Sequence, residues 1–143
     1  VGTHDLAQLE ARLQAIAARE LAAMDLTPAI EVDAMVQASE LGWPLVEFCE
    51  LLEPCGYGNE SPLFGATGLH VLSARAVGAD GKHLKLMLAS DPPARPLDAI
   101  GFGMGSLAPH LSGRTDVAFR LERNTFRGYE SMQLNLVDVR AGT

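Results

Sequence analysis

Residues 51–64, Leu-Leu-Glu-Pro-Cys-Gly-Tyr-Gly-Asn-Glu-Ser-Pro-Leu-Phe, separate two different hydrophobic periods. No single regular element can cross them. Leu51 and Leu52 finish an apolar helical pattern. Pro54 cannot continue a helix, and Gly56 and Gly58 permit the positive φ angles of a sharp turn. Pro62 pushes Ser61 towards an extended conformation, and a strand-like region begins at Leu63-Phe64. The chain therefore divides into a helix-rich first part and a strand-rich second part, joined by a turn.

Upstream, Leu6, Leu9, Leu13, Ile16, Leu21 and Met24 recur at three- to five-residue spacing with alanines between them. This pattern predicts an amphipathic helix over about 5–24, with Thr3 as its N-cap and Pro28 as its stop. Residues 30–36 alternate weakly and are expected to form a strand, with no evident pairing partner. Pro44 suits the first turn of a second helix, and Leu45, Phe48, Leu51 and Leu52 are expected to form its one apolar face.

Downstream the period is two. Leu69, Val71, Ser73, Arg75 and Val77 alternate with His70, Leu72, Ala74 and Ala76. Asp80-Gly81 signals a hairpin, after which Leu84, Leu86 and Leu88 alternate with His83, Lys85 and Met87. Residues 91–96 form a loop and 97–102 a third strand, followed by a short helical or irregular link over 104–111. Val117, Phe119 and Leu121 lie opposite Ala118, Arg120 and Glu122. Residues 124–128 turn the chain into a last strand carrying Met132, Leu134 and Leu136. The expected class is mainly β with an N-terminal helical part (α+β). Five strands with a short third-to-fourth connection fit a five-stranded Greek-key barrel, and a β-sandwich fits the period almost as well.

Hydrophobic residues make up 48% of the 143 and charged residues 20%, a composition that supports a packed core. No apolar run approaches the ~18 residues that cross a bilayer, so no membrane partner is expected. The chain begins at Val1 without a signal-peptide pattern and is read as a piece of a longer protein. Cys49 and Cys55 are then expected to be free thiols in a reducing cytoplasm. Charge is uneven. Residues 1–64 carry two basic and eleven acidic side chains, a net −9, whereas residues 65–143 carry nine basic and seven acidic, a net +2. An anionic partner would be met by the second part.

Catalytic chemistry is not evident. His4, His70, His83 and His110 are scattered, none in a His-x-x-x-His or Asp-x-His arrangement, and a metal would need three or more converging ligands. Ser106 and Ser112 lie near His110 but are not framed by a nucleophile elbow. Cys55 has no nearby His. Gly101-Phe-Gly-Met-Gly105 resembles a glycine-rich phosphate loop, yet Pro109 spoils the helix that should follow it. No catalytic residue and no metal ligand is assigned.

Leu52-Glu-Pro-Cys-Gly-Tyr-Gly-Asn-Glu-Ser-Pro-Leu-Phe64 resembles the Leu-Glu-Pro-Phe-Gly-x-Gly-Asn-Pro-Glu-Pro-x-Phe segment of RecJ-type single-stranded-DNA exonucleases. It departs from that segment at Cys55 and Ser61. Gly81-Lys-His-Leu-Lys-Leu86, Arg127-Gly128, Ser131-Met-Gln-Leu134 and Val137-Asp138 are similar to further stretches of the family. The resemblance covers roughly residues 45–139. It implies the helical tail of a DHHA1-type catalytic domain over 1–53, a junction over 54–64 and an OB-fold domain over 65–143. It also implies a parent enzyme, using manganese or magnesium, that degrades single-stranded DNA from the 5′ end in repair and recombination. The Asp-His-His and Gly-Gly-His motifs of that enzyme are absent from these residues, so this part is expected to be inactive alone and to carry no cofactor. Its expected partners are single-stranded DNA, the remainder of the exonuclease and, through open edges in the N-terminal part, a second copy.

In an OB fold, strands two and three and the loops 1–2 and 4–5 form the oligonucleotide-binding face. Lys82, His83, Lys85, Arg127 and Tyr129 fall where that face would lie, with Arg120 and Arg123 nearby and Tyr57 and Phe126 as further stacking candidates. Any half-exposed strand also shows Lys and Arg to water, and a protein-interaction or purely structural OB module remains the alternative.

Overall fold

The computed structural model describes residues 3–25, 27–91 and 95–142, with the side chains of residues 3 and 4 excepted. The Thr3 side chain, on which the expected cap depends, and the prolines of the 91–96 loop at 92 and 93 lie outside what is described. Helix α1 spans Thr3–Leu21, and single turns carry the chain to Met24. Asp25 then accepts a hydrogen bond from the Thr27 amide at 3.0 Å. Six strands follow the expected order, namely β1 Ala34–Met35, β2 Phe64–Val77, β3 His83–Ala89, β4 Leu97–Gly101, β5 Arg114–Phe126 and β6 Tyr129–Ala141. Helix α2, Trp43–Leu51, lies between β1 and β2, and a 3₁₀ stretch at Gly105–His110 joins β4 to β5.

The sheet order is β1-β2-β3-β4-β6-β5, and β2 also pairs with β5. Pairing thus returns to β2 after passing through the five longer strands. The β2–β3, β3–β4 and β5–β6 pairs are antiparallel, whereas β4 and β6 run parallel. Inside lie Leu84, Leu86, Leu88, Ala99, Phe119 and Leu134, all at or near zero exposure. Every second residue of β3, β4 and β5 contributes, as the period of two requires. Leu121, Leu136 and Val139 extend the same core.

Three expectations change. The strand expected over 30–36 shortens to Ala34–Met35, and its partner is present: Ala34 pairs with Phe64 and Met35 with Gly65, in parallel. Asp33 makes this possible, because its amide donates to the Leu63 carbonyl and its carboxylate accepts the Leu63 amide, both at 2.8 Å. Secondly, the alternation of β2 breaks between Val71 and Ser73, where the register against β3 shifts by one residue. Leu72 is left exposed, Ala74 packs inward, and Arg75 moves to the outer surface opposite Lys85. A bulge of this kind reverses the faces of every later residue. Thirdly, α2 buries Val46 and Cys49, with Trp43 and Leu45 partly covered, while Phe48, Leu51 and Leu52 stay exposed. The face turned to the core is the one carrying Trp43, Val46 and Cys49. Burial there pushes the Cys49 thiol pKa up.

The junction is built as a tight loop. Asn59 donates from Nδ2 to the Pro54 carbonyl at 3.1 Å and to the Leu52 carbonyl at 3.4 Å, satisfying acceptors left at the end of α2. Gly56 and Asn59 bond each other's backbones, and Gly58 takes the positive φ between them, 77°.

Phe119→Ala is expected to cost about 3–5 kcal/mol of folding free energy, because it empties the centre of the core. Leu51→Ala is expected to change stability by no more than about 0.5 kcal/mol. Urea unfolding followed by circular dichroism checks both, and a large loss for Leu51→Ala would contradict the orientation of α2.

Candidate nucleic-acid interface

The outer surface of β3 and β4 follows from the inner one. Since Leu84, Leu86 and Leu88 point inward, His83, Lys85 and Met87 point outward, each half-exposed. Register carries the same face across the neighbouring strands. Arg75 stands beside Lys85, Lys85 beside Ile100, Ile100 beside Asn135, and Asn135 beside Arg120. The next row holds Ser73, Met87, Asp98, Gln133 and Glu122.

At one margin, β3 begins where β4 ends, with Leu84 opposite Gly101. His83 accepts the Gly103 amide on Nδ1 at 3.1 Å, and its ring meets Phe102 edge-on at 5.2 Å between centroids. Lys82 is exposed beside them, and its carbonyl accepts the Gly105 amide at 2.9 Å. At the other margin is the β5–β6 turn. Strand β5 runs further than expected, to Phe126, and only Arg127 and Gly128 turn the chain, at φ 49° and 79°. Two central residues with positive φ make a type I′ hairpin, a site that favours Asn or Gly over Arg. Phe126 and Tyr129 are paired across this turn and are 65% and 81% exposed. The Arg127 guanidinium lies over the Phe126 ring at 5.1 Å.

The expected residues therefore separate into three groups. Lys82, His83 and Lys85 share the β3 margin and surface. Arg127 and Tyr129 share the hairpin tip. Arg120 and Arg123 instead face α2 and the junction. Arg123 holds Glu50 with two bonds of 2.7 and 3.0 Å, holds Glu130 at 2.8 Å and stacks over Trp43 at 4.9 Å. These carboxylates raise its pKa further above the ordinary arginine range. Arg120 donates to the Ser61 carbonyl at 3.4 Å and lies 3.6 Å from Glu60. Lys85 is engaged too: its Nζ donates to Asp98 Oδ2 at 2.7 Å, an oxygen that also accepts from Gln133 at 2.9 Å. The other oxygen of Asp98, Oδ1, is buried with no hydrogen-bond partner among the described residues. Tyr57 is fully exposed on the junction loop.

Arg75, Lys82, Arg95 and Arg127 are cations in no ion pair among the described residues. Arg75, Arg95 and Phe102 went unrecognised in the sequence. Arg75 was hidden by the bulge at Leu72. For Arg95 and Phe102 the only signal was an aromatic or basic residue at a strand end. His70 and Arg114 both contact Asp91 Oδ2, at 2.6 and 3.0 Å. The His70 hydrogen bond is the main reason the Asp91 carboxyl lies below its ordinary pKa. Among the described residues no group of three or more His, Cys, Asp or Glu could hold a metal ion, so these residues do not fit a manganese or magnesium site.

Known proteins are similar to this chain over most of its length. The family model of the RecJ OB domain matches residues 32–138. The single-stranded-DNA-specific exonuclease RecJ of Haemophilus influenzae is 34% identical over 111 residues, which are 76% of this chain and 19% of that protein. Its Bacillus subtilis counterpart is 24% identical over 136 residues, 94% of this chain and 17% of that protein. A crystal structure of RecJ with Mn2+ from Thermus thermophilus covers 94% of this chain at a TM-score of 0.69 and 28% identity, using 19% of its own length. The chain thus spans under a fifth of the relatives it matches.

The Arg123–Glu50 pair has a pH signature. The Arg123 hydrogen bond holds the Glu50 carboxyl below its ordinary pKa. A depressed carboxyl stabilises the fold above its unfolded pKa of about 4.3 and loses that contribution as pH falls through the folded value. Glu50→Gln is expected to lower Tm at pH 7 and to narrow its gap to wild type below about pH 4. Thermal melts across that range check this, and a constant gap would contradict it.

Proposed function

This chain belongs to the RecJ OB-domain family, and on that premise we propose that it is the strand-holding part of a 5′–3′ single-stranded-DNA exonuclease. The carrying observation is the placement of unpaired cations and exposed aromatic rings at both margins of the outer β3–β4 surface. Lys82, His83 and Phe102 stand at one margin, and Phe126, Arg127 and Tyr129 at the other. Single strands are bound by phosphate-neutralising charge together with flat rings on which bases stack, and these margins supply both. Arg127 keeps a cation in a backbone conformation that costs an arginine free energy, which supports a role for its charge. Arg75 and Lys85 supply further charge between the margins once Lys85 exchanges Asp98 for a phosphate. Arg123 acts by fixing the hairpin to α2, and Arg120 by tying β5 to the junction.

In this reading residues 1–53 are the tail of the DHHA1-type catalytic domain, 54–64 the junction and 65–143 the OB domain. The full enzyme works in the cytoplasm in DNA repair and recombination. Hydrolysis, with its manganese or magnesium, belongs to other parts of that enzyme. A second reading, a protein-interaction OB module, is favoured by one observation: acidic groups already engage Lys85, Arg120 and Arg123.

Titrating a labelled dT oligonucleotide at several salt concentrations tests the proposal. Arg127→Ala is expected to reduce the slope of log affinity against log salt by ~0.7, the value for one phosphate contact on a single strand. Tyr129→Ala is expected to cost ~1–3 kcal/mol at every salt concentration alike. Asp98→Asn, which releases Lys85, is expected to tighten binding. Affinities that ignore salt and all three substitutions would favour the protein-interaction reading.

A further inference from the structure

Two amide side chains on the outer sheet surface have their orientation fixed by carboxylates. Gln133 Nε2 donates to Asp98 Oδ2 at 2.9 Å, and Asn135 Nδ2 donates to Glu122 Oε1 at 2.9 Å. An ionised carboxylate only accepts, so each amide must turn its nitrogen to the acid and leave its oxygen for another donor. Asp98, Gln133 and Asn135 are half-exposed, and Glu122 is exposed. Asp98 Oδ1 is a further acceptor that no donor reaches among the described residues. Register sets these groups side by side, with Asp98 next to Gln133 across β4 and β6, and Gln133 next to Glu122 across β6 and β5. Half-buried Met87 and Ile100 give the strip an apolar floor. Free acceptor oxygens on this strip outnumber the remaining amide N–H groups.

We propose that this strip reads bases, and that it favours those with an exocyclic amino group, cytosine and adenine, over thymine and uracil. The inference rests on the proposed strand-holding role and deepens it by naming the preferred class of base. Cytosine offers its N4 amino group and adenine its N6 amino group as donors, where thymine offers the O4 acceptor. Carboxylate and amide oxygens accept from the first two and repel the third. The one donor of thymine, N3–H, lies between two carbonyl oxygens that the same acceptors repel. The exchange of Lys85 from Asp98 to a phosphate sharpens the preference. It leaves a part-buried carboxylate without its cation, and with one oxygen already unpartnered. An unpaired buried acceptor is costly, and an amino-bearing base relieves that cost where thymine does not. The margins hold phosphates whatever the sequence, and the strip between them discriminates.

Anisotropy titrations of the 143-residue chain with labelled oligo(dC) and oligo(dU) of equal length, at neutral pH and several salt concentrations, test the inference. These two differ only on the base edge that carries the amino group, and neither has a methyl group. Oligo(dC) is expected to bind about tenfold more tightly, the ratio that ~1.4 kcal/mol of base discrimination gives. Gln133→Ala and Asn135→Ala are each expected to bring the ratio towards one, by weakening oligo(dC) more than oligo(dU). Asp98→Asn is expected to do the same by tightening oligo(dU) more than oligo(dC). Arg127→Ala is expected to weaken both and to keep the ratio. Equal, salt-dependent affinities of the unsubstituted chain for the two would overturn the base preference and leave strand holding intact. A tenfold ratio that survives the substitutions at Gln133, Asn135 and Asp98 would overturn the assignment to this strip. Absence of salt-dependent binding to either oligonucleotide would overturn the strand-holding reading itself, and this inference with it.

Discussion

The fold depends on one strand serving two sides. Strand β2 pairs with β5 through its first half and with β3 through its second. It changes partner around Gly68, which sits at φ 69°, a conformation costly for any other residue. The Gly68 amide donates to Asp116 Oδ1 at 2.9 Å, and the Val71 amide to the Gly113 carbonyl at 2.8 Å, so the bend is fastened to β5. Without that bend the core of Leu84, Leu86, Leu88 and Phe119 would open along one edge. The bulge at Leu72 follows directly and decides which residues of the second half look outward.

Much of this was legible in residue order. The two-residue period of Leu84, Leu86 and Leu88 places Lys85 outside with no further information, and Asp80-Gly81 marks its hairpin. The Gly-Tyr-Gly-Asn run of the junction carries its meaning in Asn59, whose side chain bonds the carbonyls of Leu52 and Pro54. What was not legible is non-local. The bulge in β2 depends on its partners, so strict alternation assigned Arg75 to the wrong face. The burial of Val46 in place of Phe48 depends on where β5 stands, because α2 is apolar on both sides. The pairing of β1 with β2 needs Asp33 and Leu63, thirty residues apart, to meet.

The site illustrates the same limit. Sequence separates basic from acidic residues, but only packing tells which cations are spent. Arg123 lies in the same hairpin as Arg127, yet its fork is filled by Glu50 and Glu130 while Arg127 extends at the tip. Surface ion pairs of this kind contribute little to stability individually. Their consequence here is positional, since Arg123 joins the β5–β6 hairpin to Glu50 of α2. A local excess of acid in residues 1–64 and of base in residues 65–143 leaves the cationic margins on the strands.

The most direct test of the account is to follow the backbone amide shifts of the chain by nuclear magnetic resonance during titration with a dT oligonucleotide. The account predicts saturable shifts at Lys82, His83, Phe102, Phe126 and Tyr129, with the amides of α1 and of the outer face of α2 unmoved. Shifts confined to the helices, or none in a large excess of oligonucleotide, would contradict it.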